Sequence, residues 1–268
     1  MSGLGWLPDP PKLSGQKQDW NAAILLGSDT PPIRASAREH ILSILNQGDY
    51  PTCVSHAIFQ AIRAAHSRIG IENPVLGSRL FGNYLSKASH GAQLLDQGTY
   101  IRTMLDSLKE FGFPPESLWP YLDVTVEEKG KPRWALMPPA ASFRGAFDQR
   151  QSIEFRKIYE TGYARQDAIR RAISQKRVVV YGTLLAQSTS NNYNGEVLNP
   201  PTFSDRIAGG HAMLWAEYDE NKVGGPNSWG AYSGDHGWLW MSWDYALSPL
   251  TQDLRVIEHV PGFTEEDR

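Results

Sequence analysis

The sequence predicts an α+β fold, a helical first half packed against a stranded second half, with a cleft between them. Three observations carry that reading. Apolar residues recur at spacings of three and four over 53–65, 78–89 and 100–110, the period of helices with one buried face. The run Arg177-Val178-Val179-Val180-Tyr181-Gly182-Thr183 is β-branched and opens a series of short strand-like segments reaching Ser242. The two patterns are segregated along the chain, as in layered α+β proteins.

Composition narrows the function classes. A chain of 268 residues with 41% hydrophobic and 21% charged residues is an ordinary globular protein, large enough for one large domain or two small ones sharing a cleft. A net charge of −3 gives no electrostatic case for nucleic acid or an anionic membrane. Nine tryptophans suggest a filled core or an aromatic-lined cleft. A single cysteine, Cys53, excludes an internal disulfide and fits a reducing compartment. The start, Met1-Ser2-Gly3-Leu4-Gly5-Trp6-Leu7-Pro8, lacks the basic and apolar regions of a signal peptide, and no stretch approaches a membrane span. A cytoplasmic location is therefore expected, with signal-independent export left open. Oligomeric state is not legible.

Taken in order, residues 1–32 are rich in Pro, Gly and Asp and read as an extended arm lying on the body. Residues 33–140 read as a helical subdomain. It begins with a short helix over 37–45. A helix opened by Cys53 follows, carrying Val54, Ala57, Ile58, Ala61, Ile62 and Ala65 on one face and Thr52 as its N-cap. Two more helices follow, the second stopping at Gly112. Residues 122–150 show weak patterning, broken by Lys131-Pro132 and Pro138-Pro139, and read as a linker or elaborated loop. Residues 141–268 read as a β-rich subdomain, with a short helix over 166–175 and strands at 177–185, 196–198, 211–218, 222–228 and 237–242.

The chemistry gathers around the loop Gln47-Gly48-Asp49-Tyr50-Pro51-Thr52-Cys53. A thiol in the first turn of a helix sits at the positive end of the helix dipole, which favours the nucleophilic thiolate. Such a nucleophile needs a base and a group that orients the base. Among seven histidines, His211 stands out, because it follows Gly209-Gly210 and starts the apolar run Ala212-Met213-Leu214-Trp215. Asn227 comes sixteen positions later, where an adjacent antiparallel strand could bring it alongside. His56, three residues beyond Cys53, is expected at solvent or capping a neighbour.

These residues resemble the papain-like cysteine peptidases. The order Gln47, Cys53, Gly-Gly-His at 209–211 and Asn227-Ser228-Trp229-Gly230 is that family's order. Ser117-Leu118-Trp119-Pro120-Tyr121, Tyr193-Asn194-Gly195-Glu196-Val197 and the glycines Gly234 and Gly237 add weaker matches. The resemblance covers roughly 47–121 and 165–243. It implies a papain-like fold, with a β-barrel-like second half. It implies that Cys53, His211 and Asn227 are catalytic, that Gln47 lines the oxyanion hole, and that Gly98, Gly210 and Trp229 bind substrate or cover the site. It implies an extended peptide or protein substrate, no cofactor and no metal.

The departures are Tyr50 where the family has a cysteine, Val54 where it has an aromatic residue, and Ser233 where it has a second tryptophan. The long inhibitory pro-segment is also expected to be missing, so the arm at 1–30 is expected to shape or shield the cleft. Other readings stay open at this stage: endo- or exopeptidase, an amidase, deamidase or transglutaminase-like effector, or a catalytically silent peptide binder.

Overall fold

A computed structural model of the chain describes residues 4–10, 19–121, 127–128, 131–147 and 153–259. The helix Cys53–Arg68 is its axis. Its apolar face packs as the spacing requires, but its polar residues Ser55, His56, Gln60 and His66 are buried too. The reason is that it is covered on both sides. Helices Arg79–Ala88 and Ile101–Phe111 lie against one side, and strands Ile207–Trp215 and Thr251–His259 against the other.

The stranded half forms two five-stranded sheets, and no closed barrel occurs among the described residues. The first sheet runs, in spatial order, Trp20–Asn21, Ile153–Lys157, Thr251–His259, Val179–Ala186 and Ile207–Trp215. The second runs Ala35–Ser36, Glu217–Tyr218, Lys222–Pro226, Trp238–Ser242 and Val197–Leu198. Alternation along the first sheet divides the core. Val180, Ala212 and Leu214 join Cys53, Ala57, Ile58 and Ala61 in one apolar cluster. Val179, Tyr181, Leu185, Met213 and Trp215 join the helix Gly162–Ser174 in another.

Several expectations are corrected. Residues 37–45 form only a 3₁₀ turn at Arg38–His40. The stretch 122–150 holds more structure than a linker. Helix Ala140–Phe147 lies there, and Trp134, Ala135 and Ala146 pack with Leu80 and Phe81 in a third cluster. The long strand Thr251–His259, central to the first sheet, carries no sequence assignment above, because Asp253, Arg255 and Glu258 break its apolar run. No helix among the described residues is long and apolar enough to cross a membrane.

Candidate active site

Cys53 opens its helix as expected, but Thr52 makes no side-chain cap. Its hydroxyl instead meets Tyr121 Oη at 2.8 Å, and Tyr121 O–H donates to the Gln47 carbonyl at 2.6 Å. One phenol thus ties both ends of the loop that precedes Cys53. Beneath it lies a buried polar stack. The His56 ring sits edge-on to Tyr121 at 4.7 Å, and Arg79 lies over the same ring at 4.4 Å. His56 is therefore not at solvent. Its Nδ1–H donates to the Thr52 carbonyl at 2.9 Å, which leaves Nε2 to accept from Arg79 Nη1 at 3.0 Å. Burial, then the Arg79 charge, hold His56 neutral. Glu116 completes the stack with a salt bridge to Arg79 at 2.8 Å.

His211 and Asn227 meet, though not on paired strands. His211 lies on Ile207–Trp215 of the first sheet, Asn227 directly follows Lys222–Pro226 of the second, and the two segments are joined where Ala216 N–H donates to the Gly224 carbonyl at 2.9 Å. His211 Nε2 lies 2.8 Å from Asn227 Oδ1, and that oxygen also accepts Ser228 N–H at 2.7 Å. The backbone donor identifies the oxygen of the amide, so Nε2 carries the ring proton. Nδ1 is then the basic nitrogen, and it is buried without a hydrogen-bond partner among the described residues. Trp229 stacks on the imidazole, centroids 5.0 Å apart, and shields the Asn227 contact. The residue after His211 touches the sulfur directly, with Ala212 N–H donating to Cys53 Sγ at 3.4 Å. Gln47 is fully buried beside these groups. Its Nε2 donates to the Tyr50 carbonyl at 2.8 Å, and its Oε1 accepts from Ser228 Oγ at 2.5 Å.

The cleft is occupied by the chain's own N-terminal arm. Trp6 N–H donates to the Gly210 carbonyl at 3.0 Å, Leu7 N–H to the Thr99 carbonyl at 3.0 Å, and Thr99 N–H to the Gly5 carbonyl at 2.8 Å. The arm therefore runs parallel to the segment at Thr99. The Gly5 backbone amide lies close enough to Cys53 to favour its thiolate slightly. The approach is so close that only glycines fit. A Cβ on Gly98 would overlap the Gly5 carbonyl, and one on Gly210 the Trp6 carbonyl. Of the residues expected to bind substrate, Gly210 accepts from the arm through its carbonyl, whereas Gly98 only packs against Gly5, and the backbone pairing at that edge falls to Thr99, one residue on.

The arm is also fastened outside the cleft. Asp9 and Asp19 both pair with Arg255 Nη2, at 2.5 and 2.9 Å, and Asp19 reaches Arg102 at 2.8 Å. Asp9 N–H donates to Asp253 Oδ2 at 2.8 Å. Burial alone would depress Arg255, but Asp9, Asp19 and Asp253 override it and hold the guanidinium charged.

Covered in this way, the site is electrostatically quiet. Burial pushes the Cys53 thiol up to about 11, against smaller lowering by the Ala212 and Gly5 amides. Burial also takes His211 down to about 4, although its Asn227 bond favours the charged ring. The thiolate expected from the helix dipole is not the favoured form while the arm excludes water. No group of three or more His, Cys, Asp or Glu side chains among the described residues could hold a metal ion.

No protein-family model matches the sequence. An uncharacterized peptidase C1-like protein of Acanthamoeba polyphaga mimivirus is 25% identical over 228 residues, 82% of this chain and 70% of the viral protein. Among solved structures, xylellain, a cysteine protease from Xylella fastidiosa, superposes with a TM-score of 0.84 at 24% identity over 97% of both chains. A procathepsin B from Trypanosoma congolense matches with a TM-score of 0.68 at 12% identity, over 97% of this chain and 86% of that one. The chain thus has the fold of the papain-like cysteine peptidases, and its sequence is similar to that of a viral peptidase C1-like protein.

Proposed function

We propose that this chain is a cysteine peptidase whose nucleophile is Cys53, with His211 as general base and acid and Asn227 as the group that orients the ring. One observation carries the reading. The Nε2 side of His211 is committed to Asn227, which leaves a bare Nδ1 on a residue whose backbone neighbour touches Cys53 Sγ.

In this mechanism the Cys53 proton moves to His211 Nδ1, and the sulfur attacks the carbonyl carbon of an extended peptide. The oxyanion is stabilised by Cys53 N–H and the Gln47 amide. The imidazolium returns its proton to the leaving amine, giving a thioester on Cys53. Water, deprotonated by the same ring, then releases the acid and the free thiol. Thr99 and Gly210 offer backbone groups to the substrate, as they do to the arm, in the manner of strand addition, with Gly98 leaving room beside them.

The arm restrains this chemistry, because substrate and arm need the same backbone groups and the covered pair is neutral. The test is labelling with a peptidyl epoxide followed by mass mapping. Modification of Cys53, lost in His211→Ala at neutral pH, supports the reading. Label on other residues only, or equal labelling in His211→Ala, contradicts it.

A further inference from the structure

We infer, on the peptidase reading, that His56 is a positioning residue. With Ser55 it fixes and polarises the peptide unit joining Thr52 to Cys53, and so aims the Cys53 N–H at the developing oxyanion.

That peptide unit is trans, so its carbonyl oxygen and its N–H point in opposite directions. Three donors converge on the Thr52 oxygen. They are His56 N–H at 3.1 Å, Ser55 Oγ–H at 2.9 Å and His56 Nδ1–H at 2.9 Å. A carbonyl oxygen has two lone pairs, so this one is saturated. Only the first donor belongs to the helix ladder, and the other two come from fully buried side chains. Thr52 itself lies outside the helical region, at φ −116° and ψ 19°, so the helix alone does not hold this plane. Hydrogen bonds in series polarise one another, more so away from water. Donors on the oxygen therefore strengthen the N–H at the other end of the same amide, and they resist rotation of its plane.

The donor role of the ring is dictated from its far side. Arg79 offers only donors, so His56 Nε2 accepts and Nδ1 carries the proton. Glu116 holds Arg79 in place. Its Oε2 accepts Arg79 N–H at 3.1 Å, and its Oε1 accepts Arg79 Nη2–H at 2.8 Å and Tyr121 N–H at 2.6 Å. The same carboxylate thereby places Tyr121, whose phenol holds the Gln47 carbonyl. Both groups proposed to hold the oxyanion are thus tied to one cluster. Burying an imidazole, a guanidinium and a carboxylate together is costly, and a phenylalanine would fill the place of His56. What the imidazole supplies and a phenyl ring does not is the donor to Thr52.

The experiment uses the full chain carrying Gly5→Ala, with His56→Phe or His56→Asn added. Asn presents an amide N–H where Nδ1 was. Both substitutions remove the acceptor of Arg79 Nη1, so the difference between them reads the Thr52 donor. His56→Phe should lower kcat for a peptide by about tenfold with KM nearly unchanged, less than the about 10²–10³-fold lost with a whole oxyanion donor. His56→Asn should recover most of it. Alkylation of Cys53 by iodoacetamide forms no oxyanion, so its rate should be equal in all three chains. Labelling cysteine with ¹⁵N marks one amide, because Cys53 is the only cysteine. Read through that nitrogen, the Thr52 carbonyl ¹³C should move upfield in His56→Phe and return in His56→Asn. Unchanged kcat, an equal fall in hydrolysis and alkylation, no recovery in His56→Asn, or an unmoved carbonyl carbon overturns the positioning role and spares the peptidase reading. No hydrolysis by the Gly5→Ala parent removes the peptidase reading, and the role of His56 in it, whatever the carbonyl carbon does. If His56→Phe does not fold, Ser55→Ala removes a different donor from the same carbonyl and should show the same pattern.

Discussion

The amide oxygen of Asn227 holds the His211 ring by Nε2 at 2.8 Å and so turns the bare Nδ1 away from itself. A ring fixed in this tautomer can only act as a base from Nδ1. Substituting His211→Ala should lower turnover by about 10²–10⁴-fold, the range for a positioned acid–base group. Asn227→Ala frees the ring but leaves it present, so its loss should be smaller. Steady-state kinetics in an arm-opened background check the order. A larger loss for Asn227→Ala contradicts it.

Gly5→Ala should open the cleft without altering its walls. The new Cβ would overlap the Pro51 carbonyl, which cannot move far between Tyr50 and Thr52. Asp9→Asn should do the same by a separate route, since it removes one carboxylate charge from buried Arg255. In both variants alkylation of Cys53 by iodoacetamide should quicken by about tenfold or more, as burial no longer holds the thiol neutral. Unchanged alkylation rates in both would show that the arm is no barrier.

Tyr121→Phe should loosen the loop before Cys53. The phenol donates to the Gln47 carbonyl and meets Thr52 Oγ1, both buried. Deleting it should cost about 1–3 kcal/mol of stability, the penalty for buried groups left unpaired. It should also lower kcat more than it changes KM, because the loop carries Gln47. Denaturant titration and kinetics check the two effects.

Acid stability depends on two opposed groups. His211 is depressed from 6.5 to about 4, so its contribution to the closed, folded chain is full above pH 6.5 and is lost as pH falls through about 4. Asp253 is raised from 3.8 to about 6 by burial and then by Asp9, with Arg255 and Lys157 opposing. Its contribution is full below pH 3.8 and is lost as pH rises through about 6. Between pH 4 and 6 the trends work against each other. Asp253→Asn removes the second, and Asn can still accept Asp9 N–H. The variant's Tm should therefore fall more steeply than the parent's from pH 6.5 to 4. Parallel curves contradict this assignment.

Much of the site was legible because its parts are local motifs. Cys53 at a helix start, His211 after two glycines and Asn227 before Ser-Trp-Gly each declare themselves in a few residues. Contacts between distant segments did not. Nothing in the local pattern tells that Trp6 would lie on Gly182, or that Asp9 and Asp19 would share Arg255. The isolated glycine at 182, inside a β-branched run, was the one local sign that something approaches that strand. His56 misled for the same reason. A polar residue on an amphipathic helix reads as solvent-facing until a second layer, here Arg79 and Tyr121, covers it. The cap expected at Thr52 failed because Tyr121, far along the chain, takes its hydroxyl. The helix dipole argument for a thiolate holds for an open site and is overridden by burial under the arm.

The most direct measurement compares peptide hydrolysis by the full chain carrying Gly5→Ala with that of Gly5→Ala/Cys53→Ala. Turnover in the first, and none in the second despite an unchanged far-ultraviolet spectrum, is the expected result. Equal turnover in both would mean that the sulfur of Cys53 takes no part, and would end the peptidase proposal.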